Sequence, residues 1–464
     1  HQLLQAVTDI EHELRADGVS VWVYGTNGNN ISSGFLSMND KMNIASDETP
    51  SLQYRSGVTF QDSAAYIYTS GTTGLPKAAR LSHYKLLAGG HILSYFQLSS
   101  QDVIYLTMPL YHISALFIGL ANAITAGSTV VLRNKFSATN FWDDCRQHNV
   151  TVIIYIGELF RYLLARPKQP NDTDNKVRLA VGNGLGADIW NEVKERYSIP
   201  QIVETYGATE GNFGMMNVDN KLGSTGCWST LLRILCPIEL VKYEYETAQP
   251  ERDENGRCIK VKTGEVGLLI CPVTKMFPLE GYVGNKDLMQ KKILNNVFVE
   301  GDLYYNTGDL FVQDNEHFFY FKDRLGDTFR WKGENVATTE VSQVFSEFPG
   351  IEEACVYGVT VTGHYGKAGM AAICHSDRHV IDYSALYRLI THRLPNYACP
   401  RFLRVVTALP HTSTFKQKKT NLLQEGFDPN LIPDPMYFMD SRADTYSPLT
   451  TTMYSNIVNG TIRI

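Results

Sequence analysis

The chain has 464 residues, 44% hydrophobic and 19% charged, with a formal net charge of −6. That length exceeds what one hydrophobic core usually serves, so two or three domains are expected, and the composition excludes a disordered chain or a fibre. The acidic balance gives a nucleic-acid role no electrostatic support, although local basic patches can still bind an anionic cofactor.

Eight cysteines, Cys145, Cys227, Cys236, Cys258, Cys271, Cys355, Cys374 and Cys399, are scattered without a C-x-x-C pair. That spacing argues against zinc and against a disulfide scaffold, and it fits a reducing compartment. Sequons at Asn30, Asn149, Asn171 and Asn459 carry little weight as chance triplets. The chain opens on His1 rather than Met and has no visible signal peptide, so it reads as a fragment or processed form.

Residues 1–60 are weakly patterned, with an amphipathic helix over 5–15 and a loop at 26–30. From Ala64 onward, β-branched runs alternate with helical periodicity. Strands are expected at 65–68, 103–107, 129–132, 151–156, 177–181 and 202–205. Helices are expected at 82–96, 114–126, 137–148 and 187–197, with Ser82 and Ser137 at N-cap positions. Such alternation implies an α/β fold with a mostly parallel sheet covered by helices. The stretch 103–132 holds no Asp, Glu, Lys or Arg, but Pro109, His112 and Asn122 interrupt it, so it reads as strand, helix, strand rather than a membrane span. A small β region follows over about 215–324. Beyond Leu325-Gly326 the pattern becomes a compact α+β domain with helices at 338–348 and 383–393 and strands at 354–359, 369–374 and 402–406. The expected organisation is therefore a large domain over 1–325 and a smaller, mobile one over 326–464.

The strongest motif is YIYTSGTTGLPK at 66–77. An apolar strand runs into small and hydroxylated residues, then a lysine and a helix. Glycines let the backbone approach an anion, hydroxyls and amide N–H groups bind phosphate oxygens, and Lys77 offsets their charge. The G-x-x-x-x-G-K-S/T pattern of the other common phosphate loop is absent. A second motif, ETYGATE at 204–210, lies just past a strand, where open parallel sheets bind ligands. Tyr206 offers a flat face for a base, Thr209 a hydroxyl and Glu210 a hard oxygen ligand for Mg²⁺. Alone, this heptad reads better as a solvated turn, and its value comes from pairing with the first motif. In YNTGDL at 305–310, Asp309 follows a Thr-Gly turn and can accept ribose hydroxyls, or it is simply an Asp in a hairpin. Arg324 marks the domain boundary, where a surface ion pair is the plain alternative. The lysine-rich segment TSTFKQKKT at 412–420 holds Lys416, and such a cluster is ordinarily a solvated face.

Together these motifs resemble the adenylate-forming superfamily. With MPLYHISA, KFSATNFWDDC, YIGELFRYLL, GNGL, DRLGDTFRWKGENV and KQKKTNLLQEGFDP, in that order, the chain is similar to the fatty acid transport protein family, also called very-long-chain acyl-CoA synthetases. The resemblance runs from about Ala64 to the C-terminus and is loose before it. It implies ATP-dependent activation of a long- or very-long-chain fatty acid through an acyl-adenylate, with ATP, Mg²⁺ and coenzyme A. Thr69, Ser70, Gly71, Thr72, Thr73, Gly74 and Lys77 match the phosphate loop. Gly182, Asn183, Gly184 and Tyr206 match the adenine site, and Thr209 and Glu210 match the α-phosphate and Mg²⁺ contacts. Asp309 matches the ribose ligand, with Arg324 beside it, and Lys416 matches the lysine that holds the carboxylate and α-phosphate. His112 matches a position near the acyl pocket.

The resemblance also implies a membrane surface, endoplasmic reticulum or plasma membrane and possibly peroxisome, with the catalytic domains in the cytosol and an anchoring segment this chain lacks. Two positions depart from the superfamily's habit. Ser413 stands where glycine is usual, and Gly326 stands at the hinge where many relatives carry an acidic residue or lysine. A binding or transport protein without turnover, or a ligase for another acid such as a bile acid or for a carrier-protein thiol, are the competing readings. A nucleic-acid ligase is disfavoured because K-x-D-G is absent. The implied pivot at Gly326 yields a first prediction. Gly326→Pro should slow thioester formation more than adenylate formation, measured as the two half-reactions separately; equal loss of both would remove that pivot.

Overall fold

The computed structural model describes residues 4–25, 34–69, 77–244, 247, 249–283, 289–364, 366–375, 379–411, 417–462 and 464. These form two compact units, His1–Thr59 and Phe60–Ile464. The first holds the short helices Leu4–Asp9, Glu11–Ala16 and Met38–Ile44 and a parallel pair of two-residue strands. The single helix expected over 5–15 is thus two, parted at Ile10. The loop at 26–30 lies outside the described residues.

The second unit is built on a six-stranded sheet. Its order is Gly214–Met216, Gln201–Gly207, Leu179–Asn183, Val152–Ile156, Val103–Leu106, Thr129–Leu132. All neighbours are parallel except the first pair. Successive residues feed opposite faces: Ile153, Tyr155 and Ala180 join one core, while Val152, Ile154, Leu179 and Val181 join the other. Helices Phe141–Gln147 and Ala187–Arg196 supply the first core, and the helical stretch Ser114–Ala121 and Asn122–Ala126 supplies the second. This two-sided burial is what a parallel sheet needs, and it explains why the strands read as continuous apolar runs. The charge-free stretch 103–132 is strand, helix and strand, as its polar interruptions imply. Among the described residues, no helix is long and apolar enough to cross a membrane.

A separate antiparallel sheet follows, in the order Gly226–Cys227, Phe318–Arg324, Leu303–Gln313, Val266–Pro272, Glu239–Val241. Residues 329–457 share a further core around the sheet Ile351–Thr360, Lys367–His375, Phe402–Val405, Met436–Asp440, Thr445–Pro448. Its one parallel pair is joined through helix Tyr383–Arg393, capped by the Asp382 carboxylate. The last two strands and helix Thr451–Val458 have no counterpart among the sequence expectations, because their short apolar runs follow a Pro- and Asp-rich stretch that reads as loop.

One expectation is corrected. The segment after Lys77 is not a helix but the strand Lys77–Ser82, paired antiparallel with Ser63–Thr69. The phosphate-loop motif therefore spans a hairpin. Alternation in Ala78, Ala79, Arg80 and Leu81 decides this, with Ala79 and Leu81 fully buried. The helix expected over 82–96 starts at its Ser82 cap, whose hydroxyl accepts from the Lys85 amide at 3.1 Å, but it is two pieces, His83–Gly90 and the 3-10 turn Ile92–Phe96. Ser137 accepts from the Asn140 amide at 3.3 Å and closes a turn ahead of the Phe141–Gln147 helix.

The amino-terminal edge of the parallel sheet is tied together by a buried carboxylate. Asp102 accepts Arg178 Nε and Nη2 at 2.9 Å each, the Thr151 hydroxyl at 2.8 Å and the Ser99 amide at 3.0 Å. Asp102, Thr151 and Arg178 each precede a strand, so one side chain aligns three strand starts. Burial alone would raise its pKa, but Arg178, Thr151 and Ser99 outweigh that and bring it to about 2 from 3.8. A depressed carboxyl stabilises the fold above its unfolded pKa and loses that contribution as pH falls through its folded one. Asp102→Asn should therefore lower stability by about 2 kcal/mol near neutrality. In chemical denaturation, its deficit against the parent should shrink between pH 4 and about 2.

Candidate active site

The carboxyl ends of Leu179–Asn183 and Gln201–Gly207 lie side by side, with Gly182 opposite Glu204. Gly182 allows this approach, since a Cβ there would fall 2.1 Å from the Tyr155 carbonyl oxygen. Gly184 turns the chain at φ +81°. Glycine is needed at both places for packing and backbone geometry before any ligand is considered. The Thr205 hydroxyl bonds the Gly182 carbonyl at 2.8 Å.

Glu204 is buried beneath this turn. Its carboxylate accepts from the Tyr155 hydroxyl at 2.7 Å, the Leu185 amide at 3.3 Å and the Gly184 amide. Among the described residues no lysine or arginine shares its hydrogen bonds, and burial pushes its pKa up to about 8, against the lowering effect of those three donors.

Tyr206 leaves the same strand end toward the second sheet. Its hydroxyl donates to Asp309 Oδ2 at 2.6 Å, and its ring meets Phe311 edge-on at 4.7 Å. Asp309 is not in a hairpin tip. It sits within the strand Leu303–Gln313, opposite Arg324, whose Nε lies 3.7 Å from Oδ1. The Asn-Thr-Gly sequence makes an irregular stretch inside that strand. Asn306 Oδ1 accepts the Gly308 amide at 2.9 Å, Thr307 Oγ1 accepts the Asp309 amide at 3.1 Å, and Gly308 takes φ +75°. A strand therefore carries a turn-like motif that aims a carboxylate out of it.

Glu210 forms the second half of the site. Its Oε1 accepts from the Tyr282 hydroxyl at 2.7 Å and Lys292 Nζ at 3.0 Å. Burial raises its pKa, and the Lys292 charge and the Tyr282 bond outweigh that, so Glu210 is held below the usual carboxylate range. Lys77 Nζ lies 5.7 Å from the Tyr282 ring centre, and Lys292 Nζ 5.6 Å from that of Tyr305. Tyr282 arrives because 281–283 pairs with the Lys77–Ser82 strand: Arg80 N donates to the Gly281 carbonyl at 3.1 Å and Val283 N to that of Ala78 at 2.9 Å. Thr69 stands opposite Lys77 as the last pair before residues 70–76, which join the two strands. A single carboxylate among cations suits Mg²⁺, which keeps most of its waters and takes one or two protein carboxylates together with phosphate oxygens. Among the described residues, no group of three or more His, Cys, Asp or Glu could cage a metal.

Of the sequence-derived residues, Tyr206, Asp309 and Arg324 are thus in contact in series, and Thr69, Lys77 and Glu210 gather around Tyr282. Asn183 closes its strand, and Thr209 precedes Glu210. Ser70, Gly71, Thr72, Thr73, Gly74 and Lys416 lie outside the described residues. His112 is on the turn leading into the Ser114–Ala121 helix, its ring 4.5 Å from that of Tyr111. Sequence reasoning passed over Tyr282, Lys292 and Lys85. Each lies in an unremarkable polar stretch, and only the fold brings them to Glu210.

Comparison with known proteins identifies relatives of this chain. AMP-binding enzymes as a family match residues 21–249, and the AMP-binding enzyme C-terminal domain matches residues 340–416. Long-chain fatty acid transport protein 2 of Rattus norvegicus is 47% identical over 464 residues, covering 100% of this chain and 74% of that protein. Long-chain fatty acid transport protein 5 of Homo sapiens is 48% identical over 410 residues, 88% of this chain and 59% of the relative. The chain thus spans from about three fifths to about three quarters of its relatives' length. Among solved structures, an anthranilate CoA ligase in complex with anthranoyl-AMP shares the fold, with a TM-score of 0.72 at 20% identity over 91% of this chain and 76% of that one.

Glu204 carries a pH signature. Between 4.5 and about 8 the folded protein keeps a proton that the unfolded chain releases, so the carboxyl's contribution to stability declines as pH rises. Glu204→Gln, which has no charge to bury, should gain stability relative to the parent from pH 5 to 8 and level off above. Parallel stability curves for the two proteins would contradict this.

Proposed function

The chain belongs to the long-chain fatty acid transport protein family of AMP-binding enzymes, and from that premise we propose that it activates long- or very-long-chain fatty acids to acyl-CoA thioesters through an acyl-adenylate. The supporting observation is the meeting of two clusters at the carboxyl end of the parallel sheet. Tyr206, Asp309 and Arg324 form a polar wall suited to a nucleoside. Glu210, Lys292, Tyr282 and Lys77 form a charged floor suited to phosphates.

A carboxylate cannot be thiolated directly, because its leaving group would be oxide. In the first half-reaction a carboxylate oxygen attacks the α-phosphorus of ATP, the bond to pyrophosphate breaks, and an acyl-adenylate forms. Two anions must meet, so the site has to supply positive charge and donors. Lys77 and the hydroxylated 69–74 loop surround the phosphates, Asp309 accepts from the ribose hydroxyls, and Gly182, Asn183, Gly184 and Tyr206 border the adenine. Mg²⁺ bound at Glu210 would neutralise phosphate charge, and Thr209 donates to the α-phosphate. Lys416 holds the attacking carboxylate against that phosphate. In the second half-reaction the CoA sulfur attacks the acyl carbonyl, AMP leaves with the bonding pair, and the thiol proton passes to solvent.

The body 326–464 turns about Gly326 between the two steps. Its self-contained core and the short link at Leu325-Gly326 support this. In the conformation described it is tethered by Tyr162, whose hydroxyl meets Glu353 at 2.7 Å, and by Lys322, whose Nζ lies 3.0 Å from Glu340. The relatives' transport-protein names support work at a membrane, and the cytosolic placement of the catalytic residues is part of the same proposal. Lys416→Ala should cut fatty-acid-dependent pyrophosphate release about 100-fold or more. Thioester formation from added acyl-adenylate should persist. A chain-length panel ranks the substrates. Well-folded protein that releases no pyrophosphate with any fatty acid would favour binding or transport without turnover.

A further inference from the structure

The turn carrying Thr209 and Glu210 has an unassigned fastener. Lys85, on the helix His83–Gly90, extends its ammonium to the Thr209 and Gly211 carbonyl oxygens, 2.7 Å from each. These two carbonyls bracket Glu210. Lys85 is itself steered from behind: its amide is capped by Ser82, whose own amide donates to Glu280 at 2.8 Å and whose hydroxyl meets the same carboxylate. Glu280 leads directly into Tyr282, which holds Glu210 from the other side.

An ammonium is a costly way to fill space. An aliphatic side chain would pack there without the penalty of taking a charge out of water. Burial here lowers the Lys85 pKa, against the pull of the nearby Glu280 and Glu210 carboxylates. What the charge gains is two strong, directed hydrogen bonds to peptide oxygens, which a methylene chain cannot supply.

We infer that Lys85 is a positioning residue for adenylation: by gripping the carbonyls of Thr209 and Gly211, the residues on either side of Glu210, it sets the Thr209 hydroxyl and the Glu210 carboxylate for Mg²⁺ and the α-phosphate. This rests on the proposed adenylation chemistry. The residue touches neither reactant and acts through the turn. Because the helix follows directly on the strand that Lys77 begins, Lys85 also links that strand to the turn carrying Glu210.

Lys85→Met and Lys85→Gln in the full chain test this. Binding of a non-hydrolysable ATP analogue is measured by calorimetry over a Mg²⁺ titration, beside the two half-reactions. The Met variant should bind the analogue about tenfold or more weakly in saturating Mg²⁺, as expected for losing charge-assisted bonds. It should need more Mg²⁺ to reach half its maximal affinity. Adenylation should fall, while thioester formation from added acyl-adenylate stays within about twofold of the parent. The Gln variant, keeping one donor, should fall between, and it carries the test if the Met variant does not fold. Folded variants with parental analogue affinity and Mg²⁺ dependence would overturn the assignment, as would equal loss of both half-reactions. If the parent forms no acyl-adenylate but the variants still weaken Mg²⁺-dependent analogue binding, the positioning role stands and the adenylation reading falls.

Discussion

The site depends on one hydrogen bond between two sheets. Tyr206 ends a strand of the parallel sheet, Asp309 lies mid-strand in the antiparallel one, and 2.6 Å separates hydroxyl from carboxylate. Neither sheet alone makes a nucleotide site. The parallel sheet offers a crevice at its carboxyl end, as open α/β sheets do. The antiparallel sheet offers a carboxylate and a guanidinium on adjacent strands. The Tyr206 ring, packed edge-on against Phe311, gives the junction an apolar base, so the polar bond is made where water is largely excluded.

Around that junction the molecule uses buried charge in two ways. At the far edge of the parallel sheet, Asp102 is neutralised by Arg178 and aligns three strand starts, a purely architectural role. At the ligand edge, Glu204 is buried with hydrogen-bond donors but without a paired cation, and it pins the Gly184-Leu185 backbone. The opposite pKa directions follow from that difference: a full positive charge overcomes desolvation, and amide and hydroxyl donors do not. Glu210 is intermediate, held by a lysine and a tyrosine that leave its carboxylate anionic, as its proposed role as a Mg²⁺ ligand requires.

Side chains on both sides of the proposed pivot at Leu325-Gly326 are joined through hydrogen bonds. Asp323, next to Arg324, accepts the Thr338 amide and hydroxyl, the latter at 3.0 Å, and Lys419 meets the same hydroxyl at 2.7 Å. Lys419 follows Lys416 by three residues, and His411, on the other flank of 412–416, lies 3.1 Å from Glu353. Both flanks of 412–416 are therefore tied to side chains that follow Leu325-Gly326, Lys419 to Thr338 and His411 to Glu353, and Thr338 and Glu353 in turn bond Asp323 and Tyr162, which precede it. The lysine cluster is not a uniformly solvated face: Lys419 is largely covered.

The sequence by itself determined the parallel α/β architecture, the β region, the α+β body and the chemical character of the motifs. Local periodicity dictates which faces are buried, and Gly-, Thr- and Asp-rich segments restrict the backbone wherever they occur. It did not reveal that Lys77 begins a strand, because alternation over six residues is visible only once a partner strand is present. Nor did it reveal Tyr282, Lys292 and Lys85, whose positions carry no local pattern. Their partners are distant along the chain: 72 residues part Tyr282 from Glu210, and 124 part Lys85 from Thr209. Tertiary structure alone decided those contacts, since long-range pairing depends on how the hairpin, the parallel sheet and the 280–283 segment dock, and no short window of residues encodes that.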